Sequence, residues 1–158
     1  MGELFNATPD DSRIRSYLAR LERLADDAGL AFNPPDSVPR TLLPLAASEW
    51  VRTNAGDRFT DFHLGLFHAY WAEGRDIEQT SVIADVADQT QVDRHVLVTA
   101  LDDEATTRTV HTSTQQAQSI GIGGTPYFLL GGRLIIGGAQ PREVFDRAID
   151  RLATLGDE

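Results

Sequence analysis

The chain contains no cysteine in its 158 residues. The thiolate is the nucleophile of disulfide exchange and the soft ligand of many metal sites, so this polypeptide alone can neither exchange disulfides nor build a thiolate metal centre. Lysine is absent too, and all 14 basic residues are arginine. No physical reason requires a guanidinium at every one of those positions, so the pattern reads as a compositional bias of the coding genome. Positive charge is scarce overall, with 24 acids giving a net charge of −10. Such a surface repels nucleic acid and anionic lipid, which excludes both as expected partners. No run approaches the ~18–20 apolar residues that cross a bilayer. The first ten residues show neither a basic leader nor an apolar stretch, and the expected location is therefore cytoplasmic. Asn6-Ala7-Thr8 matches a glycosylation acceptor, a chance match without secretion, and Asn6 breaks the myristoylation pattern after Gly2.

What is present is the composition of a folded domain, 41% hydrophobic and 24% charged, in a chain long enough for a core without staples. Ile14, Tyr17, Leu18, Leu21, Leu24, Ala25 and Ala28 follow the helical period, Asp11-Ser12 stands ready to cap them, and Gly29 to end them. Asn33-Pro34-Pro35-Asp36 and Pro39 force a loop. A second helix is predicted over 42–53, with Pro44 tolerated in its first turn. A third spans 58–73 and stops at Gly74; its stripe of Phe59, Phe62, Leu66, Phe67, Tyr70 and Trp71 reads as core. Shorter helices follow over 78–88, 93–101 and 103–119, closed by Gly121. Two strands, Tyr127 to Leu130 and Leu134 to Ile136, flank Gly131-Gly132 as a tight hairpin. Pro141 opens a last helix over 142–155. No repeat and no break in composition divides the chain, so one domain over 1–158 is expected.

Few residues ask for chemistry. His63 and His68 lie five apart on one helix, which splays rather than stacks them, so with no thiolate available a metal site is not expected. No Gly-x-Ser-x-Gly elbow is present, and the paired acids fall at helix ends. Gly121-x-Gly123-Gly124 is followed by a strand rather than the helix that a phosphate cradle needs. No cofactor is therefore expected. Thr125-Pro126 begins a strand, and from the residues alone a trans bond is the expectation.

Gly121-Ile122-Gly123-Gly124-Thr125-Pro126-Tyr127-Phe128-Leu129-Leu130, with Ile135-Ile136-Gly137-Gly138-Ala139-Gln140-Pro141, closely resembles the C-terminal segment of the DsbA-like thioredoxin-fold family. The Gly-Ala-Gln-Pro ending, and Leu66 to Ile77 upstream, resemble its cytoplasmic FrnE-type branch. The resemblance implies an α/β fold: a mostly helical, thioredoxin-like remnant with a helical insertion over about 11–120 and a C-terminal β-hairpin and final helix over 121–155. It implies that Pro126 follows a cis bond and that Gly124, Thr125, Pro126 and Tyr127 bind an extended peptide, with no catalytic residue and no metal ligand. In the family a strand, a Cys-x-x-Cys helix and a second strand precede the region matching Leu4 to Asp10, so the chain is expected to lack them. The edge of 127–130 would then be open to a second copy or another chain. The expected role is a redox-inactive peptide-binding or assembly module of a disulfide oxidoreductase family. The alternatives are a glutathione-dependent transferase or isomerase of the same clan, and one half of a split oxidoreductase.

Overall fold

The computed structural model describes residues 12–35 and 38–155, so Asp11, Asp36 and the segment Leu4 to Asp10 lie outside the described residues. Seven α-helices and one antiparallel hairpin are described: α1 Ser12–Asp27, α2 Leu42–Asn54, α3 Phe59–Trp71, α4 Thr80–Gln89, α5 Arg94–Leu101, α6 Glu104–Ser119, β1 Tyr127–Leu130, β2 Leu134–Gly137 and α7 Arg142–Leu155. A 3-10 turn, Gly56–Arg58, joins α2 to α3. The chain forms two compact units that divide between Ser113 and Thr114, inside α6.

In the first unit the core is built where the apolar stripes of α2 to α5 meet. Ala46, Ala47 and Val51 of α2, Phe62, Leu66 and Ala69 of α3, Val82, Ile83, Val86 and Ala87 of α4, and Leu97 and Leu101 of α5 are all buried. Each large side chain taken out of water there contributes about 1.5–3 kcal/mol. Alanines on α2 and Gly65 on α3 keep the helices close: a Cβ on Gly65 would lie 2.8 Å from Val86 Cγ1. The aromatic stripe of α3 is core only in part. Phe62 and Leu66 are buried, but Phe67 is 52% exposed.

Helix ends depart from the sequence reading where a side chain captures backbone donors. α4 starts at Thr80 rather than residue 78, because Asp76 Oδ1 accepts from the Glu78 N–H at 3.0 Å and Asp76 Oδ2 from Gln79 Nε2 at 2.9 Å. α5 starts at Arg94 because Asp93 caps it, accepting from the His95 and Val96 N–H groups. α3 ends at Trp71, where the Glu73 N–H turns back to the His68 carbonyl and the Arg75 N–H to that of Ala69.

The second unit holds the hairpin and α7. Phe128 and Ile136, a cross-strand pair, face α7; the Phe128 ring meets Phe145 edge-on at 4.9 Å, and Ile136 is buried. The connection is the three residues 131–133 left between the expected strands: Leu130 pairs with Leu134, and the Arg133 N–H bonds to the Leu130 carbonyl. Gly131 and Gly132 both take positive φ, 56° and 67°, a conformation that a side chain disfavours.

Candidate functional site

The segment 122–126 is aimed by the end of α6. The Ile122 N–H bonds to the Ala117 carbonyl and the Gly121 N–H to that of Gln118, a Schellman cap that needs Gly121 in the left-handed region, at φ 85°. The chain then runs through Gly124, half-buried, and Thr125 and Pro126, both exposed, into β1. The Thr125–Pro126 bond is cis, where the residues alone favoured trans. Gly124, Thr125, Pro126 and Tyr127 are thus consecutive on one exposed stretch that opens the strand.

The direction of each backbone group follows from the register. Gly138 donates its N–H to the Pro126 carbonyl at 2.8 Å, and the strand partners are Tyr127 with Gly137, Phe128 with Ile136, Leu129 with Ile135, and Leu130 with Leu134. Bonded and non-bonded pairs alternate along an antiparallel ladder, so Phe128 and Leu130 point their N–H and C=O groups at β2. Those of Tyr127 and Leu129 point the other way, and they meet no partner among the described residues. The far edge, on β2, is partly closed, because Gln140 Nε2 donates to the Gly137 carbonyl at 3.0 Å.

Side chains divide the hairpin in the same alternation. Phe128 and Ile136 face α7, while Tyr127, Leu129 and Ile135 stand on the other face at 41%, 55% and 54% exposure. The Tyr127 ring lies over its cross-strand partner Gly137, whose absent Cβ would come within 3.1 Å of Tyr127 Cζ. The result is a short apolar strand with, among the described residues, one open edge and one open face, and no acidic or basic side chain in its sequence.

The profile of the DSBA-like thioredoxin domain family matches residues 3–150. The chain belongs to that family. Among solved structures, this DSBA-like domain is similar to a probable DsbA oxidoreductase from Streptomyces coelicolor, at 21% identity and a TM-score of 0.78, covering 88% of this chain and 60% of that one. That likeness shows a thioredoxin-like DsbA fold, and the chain spans less than two thirds of the length of the structure it matches. No curated protein matches the sequence.

The described residues of this DSBA-like domain contain no cluster of metal-ligating groups and no buried polar side-chain atom without a partner. No helix among them is long and apolar enough to cross a membrane. One polar contact escaped the sequence reading: buried Ser48 on α2 shares a hydrogen bond with His63 Nδ1 on α3 at 3.2 Å. The imidazole is stacked on Phe59 at 5.3 Å and meets Phe67 edge-on at 5.1 Å. Among the described residues no carboxylate pairs with this histidine, and the neighbouring Glu49 is held by Arg52 at 2.6 Å, which also keeps the Glu49 pKa low through that hydrogen bond. The pair ties α2 to α3. A serine facing a histidine across two helices leaves no mark in spacing along the chain. His68, by contrast, is exposed and sits 3.3 Å from Glu73.

Proposed function

We propose that the chain is a peptide-docking member of the DSBA-like family, of the FrnE-type branch, that has no redox chemistry of its own. The observation that carries this reading is the outward edge of β1. Tyr127 and Leu129 present N–H and C=O groups that meet no partner among the described residues, on an exposed strand, while the chain offers no thiol to react with whatever docks there. A strand added to such an edge is held by main-chain hydrogen bonds, which tolerate many sequences, and the apolar face of Tyr127, Leu129 and Ile135 selects apolar side chains at alternate positions.

In this reading Gly124, Thr125, Pro126 and Tyr127 form the docking segment, and the occupant is an extended stretch of another polypeptide. The thiol–disulfide exchange suggested by the name of the Streptomyces relative would need cysteines supplied by such a partner. Cytoplasmic location is proposed on the FrnE-type resemblance.

The test uses the full chain and a neutral hexapeptide alternating threonine and valine. Titration should give saturable binding, with slowed amide exchange at Tyr127 and Leu129, and the chain alone should not catalyse oxidation of a dithiol peptide. Absence of binding at millimolar peptide, or protection confined to residues outside 124–130, overturns the reading.

A further inference from the structure

Gly137 stands apart from the other glycines of the hairpin. Gly131, Gly132 and Gly138 take positive φ, but Gly137 does not, so its backbone would accept a side chain. What that side chain would meet is a ring: a Cβ at Gly137 would lie 3.1 Å from Tyr127 Cζ, 3.2 Å from Tyr127 Oη and 3.3 Å from Tyr127 Cε2. The rest of β2 is Leu134, Ile135 and Ile136, and a β-branched residue at 137 would suit the strand better than glycine does. Glycine is needed there for the ring that covers it, not for the backbone.

The three atoms named are the far end of the phenol, and Gly137 is the cross-strand partner of Tyr127. The Tyr127 side chain therefore leaves β1 and lies across β2. It points away from the edge at which Tyr127 and Leu129 turn their N–H and C=O groups outward. A strand added at that edge sets the residue opposite Tyr127 on the face that carries the Tyr127 and Leu129 side chains. With the ring drawn over β2, that residue has Leu129 as its neighbour and no aromatic ring in its way. Leu129 and Ile135 are both more than half exposed, and neither strand carries an acidic or basic side chain. The space left beside Tyr127 is apolar-sided and open.

We infer that Gly137 is a positioning residue for specificity: by holding the Tyr127 ring over β2, it lets the docked strand carry a bulky apolar side chain, an aromatic one above all, opposite Tyr127. This inference rests on peptide docking at β1, proposed above. A ring lying over a strand glycine also steadies a hairpin, so a loss of stability is common to both roles. Selectivity between peptides belongs to the specificity role alone.

Two peptides test it: the threonine–valine hexapeptide with its middle valine replaced by phenylalanine or by alanine, each titrated into the full chain by calorimetry. The parent should bind the phenylalanine peptide roughly twofold to fivefold more tightly, the range of a good cross-strand pair over alanine. Gly137→Val fills the space under the ring and drives the ring toward the edge. The ratio should then fall to about one while the alanine peptide binds as before, and the hairpin should stay folded, because valine suits a strand. With Tyr127→Ala in the same chain, Gly137→Val should no longer change the ratio. Equal binding of the two peptides by the parent, or a preference that survives Gly137→Val, overturns the assignment and leaves docking at β1 standing. Failure of both peptides to bind the parent at millimolar concentration overturns docking itself, and this assignment with it. Should Gly137→Val not fold, nuclear Overhauser contacts between the bound phenylalanine ring and Leu129 of the parent decide: their presence supports the assignment and their absence overturns it.

Discussion

A proline at Leu129 is the most discriminating perturbation of the proposed docking edge. In the register described, the Leu129 N–H points away from β2, so its removal costs the hairpin no ladder bond; proline is tolerated where a strand's N–H faces outward. A peptide added to the edge would exchange bonds with Tyr127 and Leu129, about four in all, each with a net value of ~0.5–1.5 kcal/mol. Leu129→Pro deletes one of them and places a ring where the peptide backbone must approach. The expected loss is therefore at least that of one bond, roughly threefold to tenfold in affinity for the threonine–valine hexapeptide by calorimetry. Phe128→Pro is the control with opposite wiring. It removes an N–H that bonds to β2, and should loosen the hairpin, measured as faster exchange of the Ile136 amide. If Leu129→Pro binds peptide as tightly as the parent, or if the two prolines unfold the hairpin alike, the assignment of an outward edge to Tyr127 and Leu129 is wrong.

Two further outcomes test the helical unit. Gly65→Ala gains about 1 kcal/mol of helix propensity but sets a methyl 2.8 Å from Val86 Cγ1, and overpacking of a stiff β-branched neighbour costs about 1–3 kcal/mol. Urea unfolding should show net destabilisation that Val86→Ala relieves, so that the double variant is more stable than the sum of the two singles; strict additivity refutes the close approach. The carboxylate of Asp76 is held below its usual pKa by hydrogen bonds from the Gln79 side chain and the Glu78 N–H. A depressed folded pKa means stability that is present above the unfolded value and lost as pH falls through the folded one. Asp76→Ala should therefore lower the melting temperature at pH 7 by an amount that shrinks as pH falls below the ordinary carboxylate range, and a difference undiminished in acid refutes the assignment.

Periodicity made most of the fold legible. Seven helices and the hairpin lie within a few residues of where apolar spacing and glycine placed them, because those signals are local and each helix carries its own stripe. The stripe does not say what faces it. Phe67 and Phe62 look alike in sequence, yet one is exposed and one is buried, since only the packing of α2 and α4 against α3 distinguishes them. Tyr17 and Leu24 followed the period as well as any core residue and joined no core. Of the candidate site, the order Gly124-Thr125-Pro126-Tyr127 was readable from resemblance. Which amides point outward needed the partner register, which strand bounds alone do not give.

Gln140 gives the hairpin a polarity. By engaging the Gly137 carbonyl it blocks one outward group of β2, while those of Tyr127 and Leu129 on β1 meet no partner among the described residues. A ribbon available from both sides is a template that can be copied indefinitely, which is the geometry of fibrils. With that carbonyl taken by an amide from its own chain, β2 offers a neighbour one hydrogen bond fewer than β1 does, which favours pairing through β1 over growth from both borders.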